Sequence, residues 1–286
     1  QIEDDDRVIA NLVRKKNRRE REELAGQRYI EEFIREDSNT YLVLFDSQEN
    51  TPEEVHFKME SYNRWRNSEW FKKEKLLHDM WTASFYAELN EENKDIIPTY
   101  KTLELAKQDI RYISKKTIEL VERLAVDFKF FHWQIEFPEV FNRVEKGFDC
   151  ILGNPPWEAV VLKEKEYFIF RDPEIFNART KAIRDRMIRN LKYTNKELYD
   201  SFHKARRDVK CTSYFIRNSG KYRLSAVGTI NTYAIFTDLA AQLVARKGRA
   251  GIIIQTGIAT NEGTKDLFGY LVDSKRLISL LDFENS

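Results

Sequence analysis

The chain has 286 residues, 13% aromatic content and 48 Lys+Arg against 47 Asp+Glu, enough for one large or two ordinary domains with a substantial core and too aromatic for disorder. The near-neutral balance excludes a globally basic nucleic-acid binder, so any basic footprint must be local. No apolar run approaches the roughly 18 residues of a membrane span, and the two cysteines, Cys150 and Cys211, have neither metal-type nor disulfide-framework spacing.

The opening QIEDDDRVIA is too acidic and polar for a signal peptide, so the expectation is a reduced, cytoplasmic protein. Gln1 is not an initiator, and the chain reads as a piece of a longer polypeptide. Residues 7–36 are dense in strong helix formers with a mixed-charge middle, which predicts a helix with a solvated face. Thr51-Pro52-Glu53-Glu54 predicts a helix start, with Thr51 as N-cap, Pro52 in the first turn and Glu54 closing a capping box. The aromatic stripe that follows, from Trp65 and Trp70 through Phe71, Leu77 and Met80 to Tyr86, predicts core. After Pro98, the spacing of Leu103, Ala106, Ile110, Ile113, Thr117, Leu120 and Leu124 predicts one continuous amphipathic helix. His132 has no ligand-type neighbour at metal spacing and reads as packed or hydrogen-bonded.

Beyond residue 148 the pattern changes. Strands are predicted over Phe148–Gly153, Ala250–Gln255 and Leu277–Phe283, with helices near Asn231–Lys247 and Gly263–Val272. Continuous apolar strands separated by helices predict a parallel sheet buried on both faces. The organisation expected is a helical region over residues 1–130, then an α/β part over 131–286 with a basic helical insertion at about 160–225.

The first strand runs directly into Asn154-Pro155-Pro156-Trp157. Two prolines cannot continue a central strand, since each lacks an N–H and fixes φ near −65°. In open α/β sheets, ligands bind beyond the carboxyl ends of strands. Here Asn154 offers a side-chain carbonyl, the prolines hold their carbonyls without competing donors, and Trp157 offers a flat apolar face. The set suits an extruded base carrying an exocyclic amino group.

In these residues the chain resembles the amino-group DNA methyltransferases, whose signature is (Asp/Asn/Ser)-Pro-Pro-(Tyr/Phe/Trp) directly after a strand. GNPPW is similar to the adenine-N6 class of type II restriction-modification enzymes with fused methylase and nuclease. The resemblance extends discontinuously over residues 127–286, through FFHWQIEFPEVF, NSGKYRL, INTYAIFTDLA, GRAGIIIQTGIATNEGTKDLF and LLDFEN. It implies a partial Rossmann-like methyltransferase sheet preceded by a largely helical region. It also implies methyl transfer from S-adenosylmethionine to a flipped adenine in double-stranded DNA. Asn154, Pro155, Pro156 and Trp157 would be the catalytic set, with no metal and no covalent intermediate: the Asn154 side-chain oxygen and the Pro155 carbonyl accept from the adenine amino group, and Trp157 stacks on the purine.

The cofactor motif expected upstream, a strand with a glycine-rich turn, is missing. Ten glycines form no Gly-x-Gly, and residues 1–147 hold only Gly26 and Gly147. The expectation is therefore a target-adenine half that is inactive in isolation, its main S-adenosylmethionine motif and its target recognition region lying in the remainder of a larger polypeptide. Between Arg179 and Arg223 stand 14 Lys+Arg against four acids, a local balance of +10, interleaved with Tyr193, Tyr199, Phe202, Tyr214, Phe215 and Tyr222. This predicts either phosphate contacts or a solvated helix pair with aromatic core contacts. Thr256, Gly257, Thr260 and Asn261 follow the second strand and fit a pocket wall or a plain turn with an N-cap, while Tyr233 and Phe236 are expected in the core. A reading from another class, a non-catalytic nucleic-acid-binding or scaffolding module of a defence complex, stays open here.

Overall fold

The computed structural model describes Ile2, residues 4–23 and residues 48–283. The chain is a mixed α/β protein dominated by helices, and it divides into two compact units. One holds Asp5–Leu152 and Ala240–Gly251; the other holds Gly153–Leu239, Ile2–Asp4 and the chain from Ile252 on.

In the first unit, α1 (Arg7–Glu23) starts where the Asp6 carboxylate accepts the N–H groups of Val8 (2.8 Å) and Ile9 (3.1 Å). The rest of the helix predicted to residue 36 lies outside the described residues. α2 (Pro52–Arg66) opens on the expected capping box: Thr51 Oγ1 accepts from the Glu54 N–H and the Glu54 carboxylate accepts from the Thr51 N–H, both at 3.2 Å. α3 (Glu69–Ala83) starts from Ser68. The aromatic stripe is core as predicted, with Trp65, Phe71, Leu77, Met80 and Tyr86 buried and the Trp65 and Phe71 rings edge-to-face at 4.6 Å. His132 is buried and its Nε2 lies 2.8 Å from the Asp79 carboxylate, so the hydrogen-bonded reading holds.

The single helix predicted after Pro98 is corrected. α4 (Tyr100–Gln108) ends at Asp109, a 3₁₀ turn covers Ile110–Tyr112, and α5 (Lys115–Asp127) begins after Ser114. Asp109 accepts the Arg111 N–H (2.9 Å) and Ser114 accepts the Thr117 N–H (3.1 Å). These short polar side chains compete with the helix for backbone donors, while Ala106, Ile113, Leu120 and Leu124 still reach the interior. The apolar period survives a break that the period alone does not register. The start of α4 takes its acceptors from α1: Asn17 receives the Tyr100 N–H (2.7 Å) and Glu20 the Lys101 N–H (3.2 Å).

Two short helices, α6 (Trp133–Glu136) and α7 (Pro138–Phe141), surround the entry of β1 (Phe148–Gly153). The rings of Trp133, Phe137 and Phe141 meet the Phe148 ring edge-on at 5.6, 5.3 and 5.6 Å. β1 pairs in parallel with β2 (Val244–Ile252), the one sheet among the described residues. Gly147 turns the chain into β1 at φ 113°, and a Cβ there would lie 2.6 Å from the Ala245 nitrogen and 2.7 Å from the Leu243 oxygen. Only glycine fits this close approach.

The sheet differs from expectation in three ways. β2 begins six residues earlier than predicted, at Val244, because helix α12 (Thr232–Leu243) stops at Leu243 where pairing with β1 takes over. The predicted strand Leu277–Phe283 has no regular secondary structure and no ladder pairing, its Leu281 and Phe283 74% and 82% exposed; an apolar segment becomes a strand only beside a partner. The sheet is not buried on both faces either, since Leu152 is 79% exposed. Among the described residues the sheet consists of two parallel strands.

The second unit contains α8 (Glu164–Phe168), α9 (Pro173–Phe176), α10 (Lys181–Thr194) and α11 (Lys196–Asn218), built around buried Phe168, Ile175, Ile188, Leu191 and Phe202. α12 starts in this unit, where Tyr233 and Ala234 pack with Ile258 of α13 (Gly257–Thr260) and Leu267 of α14 (Lys265–Asp273). Tyr233 is core as expected, but Phe236 is 45% exposed: three residues on, it falls toward the edge of the buried face.

Candidate functional site

Everything at the corner after β1 lies in the second unit. Residues 154–158 have no regular secondary structure, and the two prolines hold the turn open. The corner is clamped from behind by the start of α12. Thr232 Oγ1 lies 2.6 Å from the Pro156 carbonyl and 3.0 Å from the Glu158 carbonyl, to which it donates, and it accepts the Glu158 N–H at 2.9 Å. The Thr232 N–H donates to the Glu158 carbonyl (2.8 Å) and the Val160 N–H to the Ile230 carbonyl (2.9 Å). Ala159 and Asn231 form an antiparallel bridge that extends the same clamp.

The clamp divides the corner's acceptors by use. The Pro156 carbonyl is engaged, whereas the Asn154 carboxamide is exposed and neither it nor the Pro155 carbonyl accepts a hydrogen bond among the described residues. The Trp157 indole N–H donates to the Ile253 carbonyl (3.2 Å), which fixes the ring by its edge and leaves the side chain 45% exposed. The Ile253 N–H in turn donates to the Gly153 carbonyl (3.0 Å), holding the two strand ends together. Of the four predicted residues, then, Asn154 and Trp157 are exposed, Pro155 is half-buried with its carbonyl unengaged among the described residues, and Pro156 braces through its carbonyl.

The loop after β2 behaves otherwise. Gly257 opens α13, where a Cβ would meet Asn261 Nδ2 at 2.5 Å and Tyr233 Oη at 2.9 Å. Asn261 Nδ2 donates to Tyr233 Oη (3.1 Å), and Thr264 Oγ1 lies 2.8 Å from the Gly257 carbonyl and 2.9 Å from the Asn261 carbonyl. Thr260 Oγ1 points back to the Thr256 carbonyl and Thr256 Oγ1 toward Asp282, both at 3.4 Å. Thr260 and Asn261 do not serve as side-chain N-caps; Asn261 stitches this turn to α12 instead. Thr232 is the residue that sequence reasoning passed over. Asn231-Thr232 ahead of an apolar helix reads as an ordinary helix start, and only the fold returns that hydroxyl to a loop 76 residues earlier.

No group of His, Cys, Asp and Glu among the described residues is placed to hold a metal ion, and no described helix is long and apolar enough to cross a membrane. No curated protein and no solved structure matches the chain. A family model described as the Eco57I restriction-modification methylase matches residues 27–286, which include the corner, its clamp and both strands. A restriction-modification methylase has DNA as its substrate. On this match the chain belongs to the Eco57I restriction-modification methylase family.

Proposed function

We propose that this chain carries the target-base half of an adenine-N6 DNA methyltransferase of a restriction-modification system, with Asn154, Pro155 and Trp157 as the groups that receive the base and Pro156 as their brace. The observation behind this reading is the division of acceptors: Thr232 occupies the Pro156 carbonyl, while the Asn154 carboxamide and the Pro155 carbonyl stay unengaged beside an indole held by its edge.

An exocyclic amino group has two N–H bonds, and its lone pair is delocalised into the ring. Two acceptors fixed on one side take both protons' hydrogen bonds and favour a pyramidal nitrogen whose lone pair is localised. The Trp157 face would stack on the unpaired purine, worth about 1–3 kcal/mol per base. Extruding the base costs a few kcal/mol of unstacking, which these contacts offset.

S-adenosylmethionine is the methyl donor typical of the family. β1 ends in a proline-braced turn, and Gly147 ahead of it has backbone atoms of Ala245 and Leu243 where an open glycine turn would leave room for that donor. The residues of the corner act on the acceptor side of the reaction. The test is methyl transfer by the full-length protein onto adenine-containing duplexes. Asn154→Ala should lower the rate by at least about 100-fold with melting unchanged, and the labelled base should be N6-methyladenine. Near-normal turnover by that variant, or label on cytosine, sinks the reading.

A further inference from the structure

The charge excess between Arg179 and Arg223 is not one surface. On α11 the cations are largely engaged within the protein. Lys204 pairs with Asp208 (3.0 Å), Arg206 and Lys210 both reach Asp4 (3.4 and 3.2 Å), and Arg217 donates to the Ala226 carbonyl (2.8 Å). On α10, Arg184 pairs with Glu164 (3.0 Å). Lys181, Arg186, Arg189 and Lys192, by contrast, are exposed and without an ion pair among the described residues.

At about 100° per residue, the buried Ile188 and Leu191 fix the inward side of α10. Arg186, Arg189 and Tyr193 fall on the opposite side, with Lys192 at its margin. Tyr193 is 82% exposed, and Asp185 is the helix's one acid. This arrangement does not serve the helix itself. Like charges three residues apart repel, and Lys181 occupies the first turn, where the helix dipole disfavours a cation. A polyanion relieves both. From Arg186 to Lys192 the stripe rises roughly 9 Å, the length of two to three base steps at about 3.4 Å each.

We propose that this outward face of α10, Arg186, Arg189 and Lys192 with the Tyr193 hydroxyl, binds the phosphate backbone of the duplex that presents the target base. The inference rests on the reading of the Asn154 corner for its choice of duplex DNA, and it assigns positioning and not base recognition to α10. α11 is tied to the segment following the corner, Ser213 Oγ donating to the Val160 carbonyl (3.2 Å), and α10 packs on α11 through Ile188, Leu191 and Phe202.

The experiment is fluorescence anisotropy of a labelled duplex with the full-length protein, without methyl donor, across a salt series. Arg186→Ala/Arg189→Ala/Lys192→Ala should weaken binding at least tenfold and flatten the slope of log K against log salt by nearly 3, at about 0.9 per phosphate contact. Arg186→Lys/Arg189→Lys should keep the slope, which guards against a folding defect, and Lys204→Ala/Arg206→Ala on α11 should leave it unchanged. An unchanged slope in the triple variant overturns the proposal. So does a loss confined to RNA hairpins or anionic vesicles. Absent methyl transfer by the full-length protein with an intact triple-variant effect counts against the corner alone.

Discussion

Thr232 gathers the Pro156 and Glu158 carbonyls and the Glu158 N–H around one hydroxyl, and it thereby decides which carbonyls of the corner remain for a ligand. A valine there keeps the shape but leaves the Pro156 carbonyl and the Glu158 N–H without their partner, a loss of about 1 kcal/mol. Thr232→Val is expected to reduce methyl transfer by the full-length protein about fivefold at unchanged DNA affinity, while Thr232→Ser retains most of it. A steady-state comparison separating kcat from KM checks this, since a general loss of stability would not be repaired by serine. Asn154, Pro155 and Trp157 were legible from the sequence because a strand cannot continue through two prolines. Thr232 was not, because the hydroxyl's partners come from a distant stretch of chain.

Among the elements, β1 depends on how it is entered. Gly147 combines a φ of 113° with a Cβ position 2.6 Å from backbone, so Gly147→Ala should destabilise the protein by roughly 3 kcal/mol in urea unfolding. Gly269→Ala on α14 meets nothing within 4 Å and should stabilise by about 0.5–1 kcal/mol, as expected of a helix-interior glycine. Equal effects from the two substitutions would contradict this account of the strand entry. The capping box at Thr51 was readable because both partners lie within four residues. The break between α4 and α5 was not, since Asp109 and Ser114 are compatible with a helix until their side chains take the backbone donors. For the sheet, apolar runs indicated strand character, but pairing set its limits.

For the whole molecule, the near balance of charge hides individual groups held out of water. Burial raises the Glu74 carboxyl from its ordinary 4.5 to about 7, with nearby Lys73 opposing the shift, and its Oε2 is buried without a hydrogen-bond partner. The folded state thus holds this proton more tightly than the unfolded chain. Glu74 contributes fully below about pH 4.5, and its contribution is lost as pH rises through 7. Glu74→Gln should therefore raise stability at pH 8 by on the order of 2 kcal/mol while changing it little at pH 4.5. Thermal melts at both pH values check this, and an equal shift at the two would contradict it.

What the sequence by itself determined is what depends on neighbouring residues: the apolar faces, the caps, the strand that stops at Asn154, and the residue types offered there to an amino-bearing base. Tertiary structure alone decided which of those groups are left unengaged. It returned Thr232 to the corner, occupied the α11 cations with Asp4 and Asp208 while leaving the α10 stripe exposed, and kept Leu277–Phe283 out of the sheet. The physical reason is that a hydrogen bond, an ion pair or a strand ladder needs two partners, and a linear sequence specifies the groups without specifying which of them meet.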